Sequence, residues 1–410
     1  MLLENISGFN GVNLIEAREA RGLTGKEFGK LLGVTRQTIS NYENNKRKPS
    51  LQTLEKISEK LNFPYSFFLN SSTENSEIVA PIFYRSMSGA TKNARRKAEI
   101  KFNWLVKLVL YLSVFVETPE VNFPDFDLPS DPNHISDEEI ERIAIEVRRF
   151  WGLGDGPISN FLWLLENNGG IVVRRSLEAK KLDAFSHWRD GVPYIVITND
   201  KLSCARARFS AAHELGHLIL HRNVPQICLN KPEYFKLIEH QANRFAAAIQ
   251  MPSTAFYKEV KRINLEAFRF LKQRWKLSIA MFITRAEDLG CSDSKKALSL
   301  WKSYSRNGWK TFEPLDDDLP LEEPKLIKNT ADVLLTEKVI SKQQILDQMD
   351  LFHLDVEDCA GLPENYLNPR LGEVLDLKIK LRSRDKNKKE LTERHSGDVL
   401  IFPHPEKLEN

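Results

Sequence analysis

Ala211–His221 read AAHELGHLILH, and within this stretch His213-Glu214-Leu215-Gly216-His217 is His-Glu-x-x-His. On a helix four residues advance about 400°, so His213 and His217 share one face about one turn apart. Two imidazoles placed in this way can meet one Zn²⁺, or Mn²⁺ in its place, while Glu214 beside them reaches a water to be activated. With 9 His and 56 acidic residues in 410, chance would supply only about 0.03 such matches. The flanking RARFSAA and LIL are apolar and helix-compatible, as suits a helix buried on one side. The bland alternative is two surface histidines on an amphipathic helix.

A catalytic zinc takes a third protein ligand and keeps one position open. The next helical segment, Ile238–Met251 (IEHQANRFAAAIQM), is closed by Pro252. Glu239 shares a face with Asn243 and Ala246, and the small residues Ala242 and Ala246 allow close helix approach. Glu239 is therefore the expected third ligand. His240 points about 100° away from it, so at most one of the two faces the metal. His221 follows His217 by four and reads as a supporting or capping histidine rather than a ligand. Upstream, Leu182–Trp188 and Val192–Thr198 flank Arg189-Asp190-Gly191, an Asp-Gly signal for a β-hairpin. A strand near a zinc cleft can hold an extended peptide by main-chain pairing, although a purely structural hairpin fits the sequence equally.

The first part of the chain has a different texture. From Asn13 to Leu69 apolar residues recur at helical spacing with no strand signal. Thr24 with Glu27 forms a capping-box pattern, Gly33 ends that helix, and Thr35 and Ser50 are N-cap candidates. Two short helices joined by so tight a turn predict a helix-turn-helix. Its second helix, RQTISNYE, presents Arg36, Gln37, Thr38 and Asn41 for a major groove of double-stranded DNA, with Ile39 and Tyr42 turned inward. Lys46, Arg47 and Lys48 follow, placed to meet phosphate. Residues 14–69 hold ten Lys and Arg against six Glu, a balance of +4, whereas the whole chain is only +3. A plain helical bundle with a basic rim is the alternative.

The expected architecture is multidomain. An all-α helix-turn-helix domain over 13–69 precedes an α+β zincin-like metallopeptidase domain over 78–305 and a small C-terminal α+β module over 325–410. The polar Asn70–Glu77 reads as a linker. Glu313–Glu323 (EPLDDDLPLEE), with six acids and two prolines, reads as a solvated connection. The C-terminal module ends in a strand-like Val399–Phe402 and carries no recognisable chemistry. Composition excludes collagen-like, coiled-coil-only and largely disordered chains. The longest apolar run, Leu108–Val116, is broken by Ser113 and is too short for a bilayer. No secretory signal is visible at the N-terminus, and the four cysteines lie 24, 63 and 68 residues apart with no Cys-x-x-Cys. A cytoplasmic protein with no membrane partner is expected.

Two resemblances sharpen these readings. Residues 13–69 resemble the Cro/repressor-type (XRE) helix-turn-helix family through Ile39-Ser40-Asn41-Tyr42-Glu43 and Pro49. Gly25 stands where such domains usually place a backbone-contacting Gln, which weakens affinity or moves that contact to Lys26. Arg208-Phe209-Ser210-Ala211-Ala212-His213 through His221 resemble the ImmA/IrrE family of metallopeptidases. So do Glu239, Ala242, Asn243, Phe245, Ala246, Met251 and Pro252, with Gln250 in place of a usual apolar residue. Phe83–Ser86 and Leu182–Phe185 are similar to members that carry an XRE domain. The resemblance implies zinc held by His213, His217 and Glu239, with Glu214 as general base. It also implies regulatory proteolysis of a transcriptional repressor. An oxyanion donor is expected, with His187, Tyr194 and Tyr257 as candidates. DNA recognition of this kind implies a homodimer on paired half-sites. The rival functions are a regulator that uses the zinc fold as a sensor without cutting, and a toxin–antitoxin-type binding protein.

Overall fold

A computed structural model describes residues 8–69, 91–177, 183–199, 203–225 and 231–369. The strand expected at Val399–Phe402, the 70–77 linker and the Phe83–Ser86 segment lie outside them.

The N-terminal domain is a helical bundle of α1 (Gly11–Ala20), α2 (Gly25–Leu32), α3 (Arg36–Glu43) and α4 (Leu51–Leu61). The helix boundaries follow their caps. Thr24 and Glu27 close a reciprocal capping box, and Gly33 ends α2 in the left-handed region at φ 73°. The side chains of Thr35 and Ser50 accept the Thr38 and Thr53 N–H groups. α2 and α3 form the helix-turn-helix, with Phe28, Ile39 and Tyr42 buried between them and their neighbours. Arg18 ties the motif together by donating to Glu43 at 2.5 Å and to the Leu23 carbonyl at 2.5 Å.

α5 (Lys92–Ser113) is the beam on which this domain rests. Trp104 on α5 donates to Glu16 on α1 at 2.6 Å and packs edge-on against Phe63. Arg21, just past α1, forks onto Asp355 at 2.6 and 2.7 Å. Asp355 belongs to the last of three helices, α14 (Leu326–Thr336), α15 (Lys342–Met349) and α16 (His353–Ala360), which pack on α5. One continuous apolar cluster runs through the N-terminal helices, α5, these three helices and one face of the sheet.

That sheet has three strands, β1 (Ile171–Arg175), β2 (Ala184–Arg189) and β3 (Val192–Thr198), in the order β1-β3-β2. β2 and β3 form the hairpin, with Asp190 and Gly191 at φ 52° and 79° as a two-residue turn requires. β1 pairs parallel to β3. Alternation decides what each face buries. Val173, Phe185, Tyr194 and Val196 face the α5 side, whereas Val172, Ala184, Ile195 and Ile197 face a second core.

The second core holds α6 (Asp137–Phe150), α7 (Phe161–Asn167), α8 (Cys204–Leu220) and α9 (Pro232–Gln250). A third cluster joins the end of α9 to α10 (Ser253–Glu259), α11 (Leu265–Trp275), α12 (Ile279–Asp288) and α13 (Ser294–Arg306). Thus an all-α helix-turn-helix domain precedes an α+β region with a small sheet and many helices. No helix among the described residues is long and apolar enough to cross a membrane.

The acidic run Glu313–Glu323 departs from its reading as a solvated connection. Glu313, Asp316 and Glu322 are buried. Glu313 accepts the Ile279 and Ala280 N–H groups at the start of α12, and Lys272 reaches Glu313 at 2.8 Å and Asp316 at 2.6 Å. Glu322 pairs with the buried Arg208. Buried cations and open helix ends draw these acids inward, because either group would be costly without a partner. Replacing Lys272 by Met leaves two buried carboxylates without their cation, so a loss of about 3–5 kcal/mol is expected. Urea unfolding should then show a clearly lower midpoint than wild type, and an unchanged midpoint would remove this cluster from the stabilising set.

Candidate metal centre

α8 and α9 approach so closely that a Cβ added at Gly216 would lie 3.2 Å from the Ala242 Cα and 3.2 Å from the Phe245 ring. Across this contact His213 and His217 face Glu239. The two Nε2 atoms stand 3.0 Å apart, and each lies 3.5 Å from a different oxygen of the Glu239 carboxylate. All three donors fall within 4.8 Å of one another, and His213 and Glu239 line a cleft of about 240 Å³.

Hydrogen bonds behind the rings fix which nitrogens face the cleft. Gln241 gives both amide protons to backbone carbonyls, Pro132 at 2.8 Å and Ile135 at 3.0 Å. Its Oε1 therefore accepts from His221 Nε2–H at 3.1 Å, which leaves His221 Nδ1 to accept from His217 Nδ1–H at 3.0 Å. His217 consequently turns a bare Nε2 toward His213 and Glu239. Burial drives the His221 imidazole well below its ordinary pKa, assisted by the neighbouring His217, so it stays neutral in this chain of bonds. His213 is oriented likewise by Nδ1 donation to Asn243 Oδ1 at 2.9 Å.

Two ring lone pairs and a carboxylate aimed at one another repel unless a cation lies among them. Two imidazoles and one carboxylate are also a donor set that zinc takes with a position left open, so the residues fit the ion. Burial alone would lower the His213 pKa, but the neighbouring carboxylates of Glu239 and Glu214, which favour the protonated ring, raise it. Glu239 is shifted the other way. Burial opposes the shift, yet the two imidazoles hold its carboxylate far below the usual range.

Glu214 is buried on the same helix and lines the same cleft. Ser186 on β2 donates to its Oε2 at 2.7 Å and to its backbone carbonyl at 3.2 Å. His240 turns out of the cleft and bonds Asp137 at 3.2 Å. None of the three oxyanion candidates faces the cleft. His187 and Tyr194 point to the opposite sheet face, against Phe102, where burial pushes His187 down to about 4. Tyr257 is exposed and bonds the Leu289 carbonyl. Ser186 and Gln241 escape sequence reading, because nothing in local spacing links a strand serine to Glu214 or a helix amide to His221. Asn243 could be found, since it follows Glu239 by four on one face.

In the N-terminal domain Arg36 and Gln37 are exposed and Thr38 and Asn41 half-buried along α3, while Lys46, Arg47 and Lys48 are exposed beyond it. Gln37 donates to Asn41 at 3.2 Å, and Thr38 shares a hydroxyl contact with Thr35 at 3.0 Å.

Residues 14–68 match the family model described as Helix-turn-helix, and residues 167–287 match that described as IrrE N-terminal-like domain. The chain joins an XRE-type helix-turn-helix to an ImmA/IrrE-type peptidase-family domain. No curated protein matches the chain. The ImmA/IrrE-type segment contains all of His213, Glu214, His217 and Glu239, and the family's peptidases are metal-dependent, generally with zinc.

His213→Ala or His217→Ala should abolish stoichiometric zinc retention, read by metal analysis after dialysis. Full occupancy in both would exclude the site. Gln241→Leu keeps every ligand but releases the His221 tautomer, so zinc affinity should fall about 10–100-fold in a chelator competition.

Proposed function

We propose that the chain is a DNA-binding, zinc-dependent endopeptidase that regulates transcription by cleaving a repressor or another regulatory protein. The observation that carries this reading is the convergence of His213, His217 and Glu239 beside the buried, Ser186-oriented carboxylate of Glu214. Zinc held by these three residues would supply Lewis acidity, polarising a peptide carbonyl and making water more acidic. Glu214 is the general base: its carboxylate takes a proton from the attacking water and returns it to the leaving amine. Ser186 holds one carboxylate oxygen, which leaves the other to turn toward the cleft. β2, at one edge of the described sheet, offers main-chain groups along which a substrate segment can lie extended. Asn243 and the His221–Gln241 pair hold the imidazoles in the tautomers this chemistry requires.

The helix-turn-helix would bring the peptidase to promoters where its protein substrate is bound, raising the effective concentration of one for the other. Arg36, Gln37, Thr38 and Asn41 would read double-stranded DNA, with Lys46 and Arg47 on phosphates. A domain this small gains useful affinity as a homodimer on half-sites about one turn apart. Work in the cytoplasm follows from these partners.

Glu214→Gln should retain fold and zinc and lose cleavage, because an amide cannot accept the water's proton. Mapping new protein termini after incubating wild type and Glu214→Gln with the host proteome checks this. Identical termini from both would refute Glu214 as the base, and none from wild type would favour a non-cutting sensor. On DNA, Lys46→Ala or Arg47→Ala should weaken binding to all sequences and reduce the salt slope by about one unit. Asn41→Ala should instead change which base pair is preferred, at a cost of about 1–3 kcal/mol. Random-site selection at fixed low salt measures both, and the absence of any enriched motif would reject operator recognition.

A further inference from the structure

The metal cleft opens into a larger cavity of about 550 Å³, and the two share Asp183, Phe209, Ser210 and Asn243 on their walls. The same helical stripes that carry the metal donors run on into it. On α8 the stripe is Arg206, Ser210 and His213, and on α9 it continues from Glu239 through Asn243 to Ala247. The far wall is α12 and α13, which contribute Ala280, Met281, Thr284 and Trp301.

Charged groups line the cavity, and three of them, Arg244, Glu313 and Arg206, are already engaged. Arg244 pairs with Asp137, Glu141 and Asp288. Glu313 is taken up by Lys272, Tyr304 and the first N–H groups of α12. Arg206 donates to the Lys310 and Thr311 carbonyls. The rest of the wall is more apolar than polar, with Phe209, Ala247, Met281 and Trp301 beside the polar side chains of Ser210, Thr284 and Lys310. From Glu239 to Ala247 is eight residues of helix, about 12 Å, a span that three to four residues of extended peptide cover.

We propose that this cavity is the specificity pocket of the cleft and receives a large apolar side chain, aromatic or Met or Leu, of a polypeptide substrate within about four residues of the scissile bond. The assignment rests on the proteolytic reading for its biological role, but binding can be read without cleavage.

Zinc-loaded full-length Glu214→Gln protein is incubated with a peptide library, made by cutting a bacterial proteome with an unrelated protease, and the retained peptides are sequenced. Retained peptides should show about tenfold or greater enrichment of large apolar residues at one position, the range that one well-filled apolar pocket supplies. Ala280→Phe and Thr284→Trp, each added to Glu214→Gln, fill the cavity from a half-buried and an exposed position. Both should erase that enrichment with zinc content and melting temperature unchanged. No retention, retention without apolar preference, or a preference that survives both substitutions would overturn the pocket. If peptides are selected in this way but protein with Glu214 intact leaves them uncut, the pocket stands and the peptidase reading falls.

Discussion

At Gly216 the backbones of α8 and α9 come so near that no larger residue fits without displacing Ala242 or Phe245. The distance between these two helices sets everything at the metal centre. His213 and His217 project from one and Glu239 from the other, and their donors meet only because the gap between the helices is this small. Ala211, Ala212, Ala242 and Ala246, all fully buried, keep it small along its length. The cost of the arrangement is a set of buried polar groups, and each is given a partner: Glu214 by Ser186, His221 by Gln241, Gln241 by two carbonyls. A buried polar group left unpaired would cost about 1–3 kcal/mol, so these bonds hold the helices in register as well as orienting the rings.

The DNA-binding helices are joined to this frame by packing rather than by sequence neighbourhood. Trp104 and Arg21 fasten them to α5 and to Asp355, and one apolar cluster reaches from Phe28 to Tyr194. The sheet stands between that cluster and the metal core, with alternate residues of β2 serving each side: Phe185 toward α5, Ser186 toward Glu214. Any shift of the N-terminal helices on α5 is thereby one sheet away from the cleft.

The helices, their caps, the hairpin turn and the shared face of His213 and His217 were legible because each depends on short-range rules. Thr24 with Glu27, Gly33, Thr35 and Asp190-Gly191 act within a turn or two of chain, and His-Glu-x-x-His is a statement about helical pitch. The acidic run was misread for the opposite reason. Six acids in eleven residues look solvated until Arg208 and Lys272, distant in sequence, are found buried and paired with three of them.

Sequence alone therefore determined the helix-turn-helix, the two helices that carry the candidate ligands and the identity of those candidates, since local periodicity and capping operate between near neighbours. Tertiary structure decided that β1 lies parallel to β3, that His240 turns away while Gln241 turns in, that Ser186 meets Glu214, and that the cleft continues into a cavity. Each of these is a contact between residues tens of positions apart. Their pairing is set by which faces must be buried together and which polar atoms must be satisfied there, and no local pattern encodes that.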